Sequence, residues 1–253
     1  MLLTIDVGNT RIKTAVFEEN TLIDVSVFEK NELQKNIEKT LKKYPNITNL
    51  VVASVGNVLE IEFLKWQNDL KVHFLSHKTR FPFQNLYKTP LTLGIDRMVL
   101  AAGAVLQFPT KNRLVIDAGT CITYDFIDEN DNYLGGAISP GLQLRYETLH
   151  HFTAKLPLLS LNDLKNGVDC IPEPKLIGNS TQQSIHSGVI NGLTNELNGF
   201  INQYESQYSN FIIILTGGDT EFLAMRLKNT IFANRNFLLE SLNQIYQYNN
   251  KND

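Results

Sequence analysis

Two aspartates in this chain each end an apolar run and precede a turn that contains glycine and threonine. They lie in Leu2-Leu3-Thr4-Ile5-Asp6-Val7-Gly8-Asn9-Thr10 and in Leu114-Val115-Ile116-Asp117-Ala118-Gly119-Thr120. Glycine lets a backbone approach a ligand closely, and threonine hydroxyls and backbone N–H groups bind phosphate oxygens. The repetition indicates a duplicated phosphate site. Read singly, each aspartate would be a residue that hydrogen-bonds its own turn.

The elements around these turns repeat as well. Residues 11–17 and 121–127 read as returning strands, so each copy is a β-hairpin. Each hairpin is followed by a third predicted strand, at 22–28 and 133–138, and then by a helix. The other predicted elements are strands at 50–55, 72–75 and 211–215, helices at 59–70, 92–106, 181–208 and 237–248, and loops at 81–90 and 157–176.

This order predicts an α/β protein made of two related domains, residues 1–112 and 113–253, with a ligand cleft between them. Neither G-x-G-x-x-G nor G-x-x-x-x-G-K-[ST] occurs at a strand-to-helix junction. Phosphates must therefore be held by the hairpins rather than by a dinucleotide-binding loop or a P-loop.

Composition excludes several classes of protein. A net charge of −3 gives no broad basic surface for nucleic acid or membrane. Two cysteines, Cys121 and Cys170, are too few for a disulfide framework, which favours a reducing cytoplasm. The five histidines form no metal-ligand pattern, and Cys121 is expected to be a small buried hydrophobic residue. Asp6 comes too early for a signal peptide or a membrane span.

Several short blocks, in this order along the chain, resemble the actin, Hsp70 and sugar-kinase ATPase superfamily and, more specifically, the type III pantothenate kinases. They are Asp6-Val7-Gly8-Asn9-Thr10, Gly94-Ile95-Asp96-Arg97, Asp117-Ala118-Gly119-Thr120, Gly135-Gly136-Ala137-Ile138-Ser139-Pro140-Gly141, Gly178-Asn179-Ser180-Thr181 and Thr216-Gly217-Gly218-Asp219. The resemblance implies duplicated ribonuclease-H-like (actin-like ATPase) domains with an interdomain cleft. It also implies ATP-dependent phosphorylation of pantothenate to 4′-phosphopantothenate, the first step of coenzyme A biosynthesis.

The resemblance also implies a nucleotide site. ATP would be bound by Asp6, Val7, Gly8, Asn9, Thr10, Arg11, Ile12, Lys13 and Thr120. Asp6 would organise hydrated Mg²⁺ near the phosphates, and Asp117 would bind a monovalent cation, K⁺ or NH₄⁺, for which hard oxygen ligands are suitable. Lys13 and Arg11 would add positive charge, although both also fit solvated side chains.

The acceptor site implied by the resemblance comprises Tyr87, Gly94, Ile95, Asp96, Arg97 and Thr181. Asp96 would be the general base that accepts the proton of the pantothenate hydroxyl, although any aspartate at a helix start is also favoured by the helix dipole. Arg97 offers paired donors for a carboxylate, and Tyr87 would contact substrate or pack in its loop. Thr181 would reach the site of a neighbouring subunit, which implies a homodimer.

Two other functions remain open from the sequence. A regulatory accessory factor of the same fold would need no catalytic set, whereas Asp96 and both hairpin aspartates are present here. A superfamily kinase acting on a sugar or a short acid would bind such a compound in place of pantothenate, and stabilisation by each ligand would discriminate the two.

Overall fold

The computed structural model describes residues 1–54, 60–164 and 172–251. Within these ranges the strands are β1 Leu2–Val7, β2 Ile12–Glu18, β3 Thr21–Phe28, β4 Asn49–Ser54, β5 Lys71–Phe74, β6 Gln84–Asn85, β7 Asn112–Ala118, β8 Cys121–Ile127, β9 Asn132–Pro140, β10 Phe211–Thr216 and β11 Phe232–Ala233. The α-helices are α1 Leu33–Lys43, α2 Ile95–Gln107, α3 Leu142–His151, α4 Thr181–His186, α5 Gly192–Gln207, α6 Thr220–Ala224 and α7 Phe237–Asn250. Shorter 3₁₀ segments lie at Lys30–Glu32, Glu60–Trp66, Pro90–Thr92 and Leu161–Leu164.

The first sheet has the order β3-β2-β1-β4-β5. The pairs β1–β2 and β2–β3 are antiparallel, whereas β4 and β5 continue the sheet in parallel with β1. Every residue of β1 is buried, as expected for a central strand with an apolar run. The register places Asp6 opposite Lys13 on one side and Ala53 on the other.

The second sheet has the order β11-β10-β7-β8-β9-β6. Read from β9 it repeats the first sheet strand for strand, because β9-β8-β7-β10-β11 corresponds to β3-β2-β1-β4-β5, and β10–β11 is parallel like β4–β5. Strand β6 is an addition that pairs in parallel with the start of β9. The duplication inferred from two short motifs therefore extends to the topology of whole sheets.

The chain forms two compact units. One consists of Met1–Val115, Asp125–Gly135 and Asn236–Asp253, and the other of Ile116–Tyr124 and Gly136–Arg235. The domain limits predicted from the duplication, residues 1–112 and 113–253, stay a prediction. No helix among the described residues is long and apolar enough to span a membrane.

Helix α2 carries the predicted acceptor motif at its start and is buried along most of its length. Its Gly103 lies against Ser241 of α7, since a Cβ built on Gly103 would stand 1.8 Å from the Ser241 Oγ and 2.6 Å from its Cβ. The Ser241 hydroxyl donates a 2.6 Å hydrogen bond to the Phe237 carbonyl oxygen. Helix α2 is thus fixed in place by a contact that only glycine permits.

Replacing Gly103 with alanine is expected to lower the free energy of unfolding by about 1–3 kcal/mol, because the added methyl group overpacks this contact. Gly199→Ala in α5 is the matched control, since no heavy atom lies within 4 Å of its added Cβ. Helix propensity alone should make that variant more stable, by up to about 1 kcal/mol. Urea denaturation measures both changes, and equal shifts in the two variants would contradict the packing argument.

The structure departs from the predicted elements in several places. The helix predicted at 181–208 is interrupted by a π-helical segment, Ser187–Asn191, because hydrogen-bond spacing leaves no mark in the apolar pattern. In the described part of the helix predicted at 59–70, Glu60–Trp66 form a 3₁₀ segment and residues 67–70 form a turn, while residue 59 lies outside the described residues. Residue 55 of the fourth predicted strand and residues 165–171 of the predicted loop also lie outside them.

Two short strands, β6 and β11, and the short helix α6 were missed, as were the short 3₁₀ segments, because each is too short to show a period. The expectation that Cys121 is buried was wrong. Cys121 is exposed, because it is the first residue of β8 after the turn, where the strand has not yet entered the core.

Candidate active site

The first hairpin turn joins β1 to β2. Asp6 is buried near its end, with 7% of its surface exposed, and the Gly8 N–H donates a 3.1 Å hydrogen bond to the Arg11 carbonyl oxygen. Of the predicted nucleotide ligands here, Val7 and Ile12 lie in the core, so only their backbone atoms are available to a ligand. Asn9, Thr10 and Arg11 are exposed, while Gly8 and Lys13 are partly exposed.

The second hairpin turn joins β7 to β8 and is one residue shorter, since the Gly119 N–H bonds to the Cys121 carbonyl oxygen at 3.0 Å. Asp117 is partly exposed and Thr120 is exposed. Both turns therefore combine a buried or partly buried aspartate with an exposed threonine, which supports the sequence interpretation that they are copies of one motif.

Two glycines pack directly against the second turn. The Gly141 N–H donates to the Thr120 carbonyl oxygen at 3.1 Å, and a Cβ on Gly141 would meet the Gly119 carbonyl oxygen at 2.2 Å. Gly217 has a φ of +101°, and its Cβ would lie 2.3 Å from the Ala118 carbonyl oxygen. A Cβ on Gly217 would also lie only 2.5 Å from the Asp117 Oδ1. These glycines therefore allow three segments of the chain to meet around Asp117.

The predicted acceptor motif forms the start of α2. Gly94 is the N-cap residue, and the Asp96 carboxylate folds back so that its Oδ1 accepts the Arg97 backbone N–H at 2.8 Å. Burial raises the pKa of Asp96 above its ordinary value, although the hydrogen bond from Arg97 works against this. A base at this position therefore takes up a proton more readily than a solvated aspartate does.

Gly94 leaves the space that the Asp96 carboxylate occupies. A Cβ on Gly94 would stand 2.3 Å from the Asp96 Oδ1, whereas its φ of −58° is open to any residue. We expect Gly94→Ala to displace the carboxylate and, because the sequence predicts that Asp96 is the general base, to lower kcat about tenfold or more, since misplacement of a reacting group by 1 Å can cost about 10²-fold.

The thermal midpoint of Gly94→Ala should change little, since a carboxylate can rotate away without disturbing the helix. Steady-state kinetics and thermal denaturation of the same preparation test both statements. A variant with normal kcat would show that the Asp96 rotamer is unimportant.

Arg97 follows Asp96 but turns into the protein, with 6% of its surface exposed. Its Nε donates to the Asp125 Oδ1 at 2.8 Å, and its Nη2 lies 2.7 Å from the same oxygen. Burial by itself would lower the pKa of Arg97, but attraction to the Asp125 carboxylate outweighs it and raises the pKa. Arg97 is therefore a permanently charged, anchored side chain.

Tyr87 lies beside this pair. The Arg97 Cζ is 5.9 Å from the centre of the Tyr87 ring, and the Tyr87 Cδ2 would lie 3.5 Å from a Cβ on Gly135. Gly135 has a φ of +118°, a conformation that favours glycine, whereas a Cβ there would make only an ordinary contact with the tyrosine ring. Of the predicted acceptor residues, Tyr87 and Gly94–Arg97 are thus brought together in one unit.

Sequence reasoning missed Asp125 and Tyr133, which complete this group. The Tyr133 hydroxyl donates to the Asp125 Oδ1 at 2.6 Å, and both residues are fully buried. One signal was available, because an aspartate between Tyr124 and Phe126 in an apolar strand is unusual unless it is paired.

Thr181 is the first residue of α4 and is exposed. The Ser180 hydroxyl caps this helix by accepting the Gln183 N–H at 3.3 Å, and a Cβ on Gly178 would meet the Ser184 nitrogen at 2.4 Å. The motif at 178–181 therefore has a structural role, because it forms the turn that caps α4. It presents Thr181 in an open groove with Leu149 and Leu156.

No cluster of three or more histidine, cysteine, aspartate or glutamate side chains suited to a metal ion occurs in the parts of the chain that the structure describes. A cation at either hairpin would accordingly be bound by one carboxylate together with backbone oxygens, hydroxyl groups, water or the ligand itself.

Known proteins resemble this chain over its whole length. The family model of type III pantothenate kinase matches residues 2–203. A type III pantothenate kinase of Flavobacterium johnsoniae is 66% identical over 253 residues, which is 100% of both chains.

Among solved structures, a protein of Campylobacter jejuni, named as a proposed transcriptional activator of the Baf family, has a TM-score of 0.60 at 23% identity over 98% of this chain and 99% of that one. A glucokinase from an Antarctic psychrotroph has a TM-score of 0.52 at 12% identity, covering 98% of each chain. These likenesses confirm the predicted fold class, an α/β protein with duplicated actin-like ATPase domains.

Proposed function

Since this chain belongs to the type III pantothenate kinase family, we propose that the residues described above carry out that family's reaction in the following roles. The reaction is ATP-dependent phosphorylation of pantothenate to 4′-phosphopantothenate, the first step of coenzyme A biosynthesis. The observation that carries the proposal is the start of α2, where a carboxylate with a raised pKa stands next to an anchored arginine.

Asp96 is the proposed general base. It orients the primary hydroxyl of pantothenate towards the γ-phosphorus of ATP and accepts its proton as the O–P bond forms and the bond to the β-phosphate oxygen breaks. Arg97 binds the pantothenate carboxylate, and Tyr87 covers the substrate beside it. Phosphoryl transfer demands mainly such positioning, because the protein forms no covalent bond in the reaction.

The hairpin turns are the proposed nucleotide site. The first provides the exposed residues Asn9 and Thr10, with Arg11 and Lys13 as cations, and the second provides Thr120. A kinase of this kind uses a divalent metal with ATP, which offsets the charge of the phosphates when bound. The buried carboxylate of Asp6 is a hard oxygen donor that suits hydrated Mg²⁺.

Asp117 is the proposed ligand of K⁺ or NH₄⁺. The turn that contains Asp117 packs against the backbone of Gly141 and Gly217, so backbone carbonyl oxygens lie near the Asp117 Oδ1. We expect the protein to lose activity at least about tenfold when K⁺ is replaced by the bulky tetramethylammonium ion, because one missing charge-neutralising contact at the phosphates costs about 1.4 kcal/mol or more.

Asp117→Asn should abolish the response to K⁺, which a titration of KCl at constant ionic strength measures. The control is Glu129→Gln, an exposed carboxylate beyond the far end of β8, and it should respond to K⁺ as the unmodified protein does. An Asp117→Asn variant with an unchanged K⁺ response would refute the assignment.

We further propose a homodimer in which Thr181 completes the acceptor site of the partner subunit. Thr181 is exposed, and the apolar residues Leu176 and Ile177 just before its motif are 80% and 81% exposed. Co-expression of Asp96→Asn with Thr181→Ala tests this, because a mixed dimer would contain one intact site. Activity no higher than that of the two parents would place Thr181 elsewhere.

A coupled assay of ADP release with pantothenate, ATP, Mg²⁺ and K⁺ tests the function itself. Turnover should require pantothenate, and glucose or N-acetylmannosamine should not replace it. Turnover with a sugar and not with pantothenate would establish the alternative kinase, and no turnover with any acceptor would leave only a non-catalytic role.

A further inference from the structure

The anchoring of Arg97 suggests roles for two residues that do not touch the proposed substrate. The guanidinium group is held along one edge by the Asp125 Oδ1, through Nε at 2.8 Å. Nη2 lies 2.7 Å from the same oxygen, so a single carboxylate oxygen contacts two nitrogens of the guanidinium group. An arginine anchored along one edge in this way can offer donors on its other edge to a further acceptor.

Asp125 is itself held in place. It lies in β8 with no exposed surface, and the Tyr133 hydroxyl of β9 donates to its Oδ1 at 2.6 Å. Burial and repulsion from Asp125 raise the pKa of Tyr133, so the phenol keeps the proton that it donates. One carboxylate oxygen therefore serves both a tyrosine and an arginine, and its position fixes that of the guanidinium plane.

The same tyrosine connects this pair with Tyr87. The rings of Tyr87 and Tyr133 are 6.1 Å apart at an angle of 62°, and the Tyr133 carbonyl oxygen accepts the Leu86 N–H at 3.0 Å. The Asn85 Oδ1 in turn accepts the Tyr87 N–H at 3.0 Å. Strand β6, which the first sheet does not have, thus brings Tyr87 to the strand that carries Tyr133.

We propose that Asp125 and Tyr133 are positioning residues that set the affinity for the carboxylate of the acceptor substrate by holding the Arg97 guanidinium in one orientation. This inference rests on the proposed role of Arg97. Asp125 acts by geometry and not by its charge, since a second carboxylate near an anionic substrate would by itself weaken binding.

The expected result is a selective change in KM. Asp125→Ala releases the guanidinium and should raise KM for pantothenate about 10- to 100-fold, the range expected when a charge-assisted hydrogen bond is lost. KM for ATP should stay within about twofold and kcat within about threefold, because the phosphoryl-transfer groups are untouched. Asp125→Asn keeps an acceptor oxygen for Nε, so it should recover most of the affinity, and Tyr133→Phe should give an intermediate loss.

The matched control is a second buried arginine in the same unit. Arg113 is fully buried and bonds to the Asp131 Oδ1 at 2.5 Å. Asp131 has a φ of 61°, a conformation that asparagine adopts readily, so Asp131→Asn removes the charge alone. This variant should keep the KM values for both substrates.

A double-mutant cycle separates failure of this inference from failure of the proposed function. If Asp125 acts through Arg97, adding Asp125→Ala to Arg97→Ala should not raise KM for pantothenate further. The pair of alanines also removes both buried charges, so this variant should fold even where Arg97→Ala does not.

The cycle has distinct outcomes. If the double variant had the same KM for pantothenate as the unmodified protein, the role of Arg97 itself would be refuted. If KM for pantothenate were raised in the double variant but normal in Asp125→Ala, only the positioning role of Asp125 would be refuted. The positioning role would also be refuted if Asp125→Asn and Asp125→Ala changed KM for pantothenate equally, or if either variant lowered it.

Discussion

Asp96→Asn is expected to lower kcat for pantothenate phosphorylation by about 10²- to 10⁴-fold, the range that general-base catalysis contributes. The amide accepts the Arg97 N–H as the carboxylate does, so the start of α2 is preserved, but it cannot take the proton of the substrate hydroxyl. KM for ATP should stay within about threefold, because the nucleotide groups are elsewhere in the chain. Full kcat in this variant would exclude Asp96 as the base.

The same substitution should make the protein more stable at neutral pH. Burial raises the pKa of Asp96 in the folded state, so the protein loses stability as the pH rises from the unfolded pKa of this group to its folded pKa, above which the whole cost is present. Asp96→Asn removes this cost at pH 7, and its advantage should vanish below about pH 4, the pKa of an unfolded aspartate.

The pH dependence has a control of opposite sign. Asp24 has a pKa held below its ordinary value, chiefly by the 2.7 Å bond from the Lys43 ammonium group. Asp24→Asn should therefore be destabilised at pH 7, lose that deficit as the pH falls, and keep normal kcat. Thermal midpoints of both variants between pH 3 and 7 test the signs. An Asp96→Asn variant less stable than the parent at pH 7 would contradict the argument.

Asp6→Asn is expected to reduce kcat/KM for ATP by at least about 10²-fold, because a neutral amide binds hydrated Mg²⁺, the proposed partner of Asp6, more weakly than a buried carboxylate does. The backbone of β1 should be unaffected, since asparagine has the same shape. KM for pantothenate at saturating ATP should change little.

Glu18→Gln is a suitable control for Asp6→Asn, because it exchanges the same groups at the exposed end of β2. It should retain normal kinetics with both substrates. If Asp6→Asn retained kcat/KM for ATP within about threefold, the first hairpin would have no part in organising the metal–nucleotide complex.

Several features of the fold and the site followed directly from the sequence. The hairpins around Asp6 and Asp117 were placed correctly, because apolar runs and turn glycines are local signals. The helix predicted at 92–106 exists as α2, but it begins three residues later, at Ile95. The three strands and helix that open each half were predicted for the same reason. The family resemblance then supplied roles for residues in these segments.

Other features depend on residues far apart in the chain. Arg97 was predicted to bind a carboxylate, but its bond to Asp125, 28 positions away, could not be read from either segment. The need for glycine at position 103 is visible only once Ser241 lies against it. The π-helical segment Ser187–Asn191 shifts hydrogen bonds without changing the apolar period.

By itself, the sequence determined the two aspartate hairpins, the order of the motifs and the family, because each is written in neighbouring residues. Only the tertiary structure decided that the duplication extends to the order of strands in both sheets, that β6 brings Tyr87 beside Arg97, and that Asp125 and Tyr133 hold the arginine. The physical reason is that a buried charge must find a partner wherever the fold provides one, and this choice leaves no local pattern in the chain.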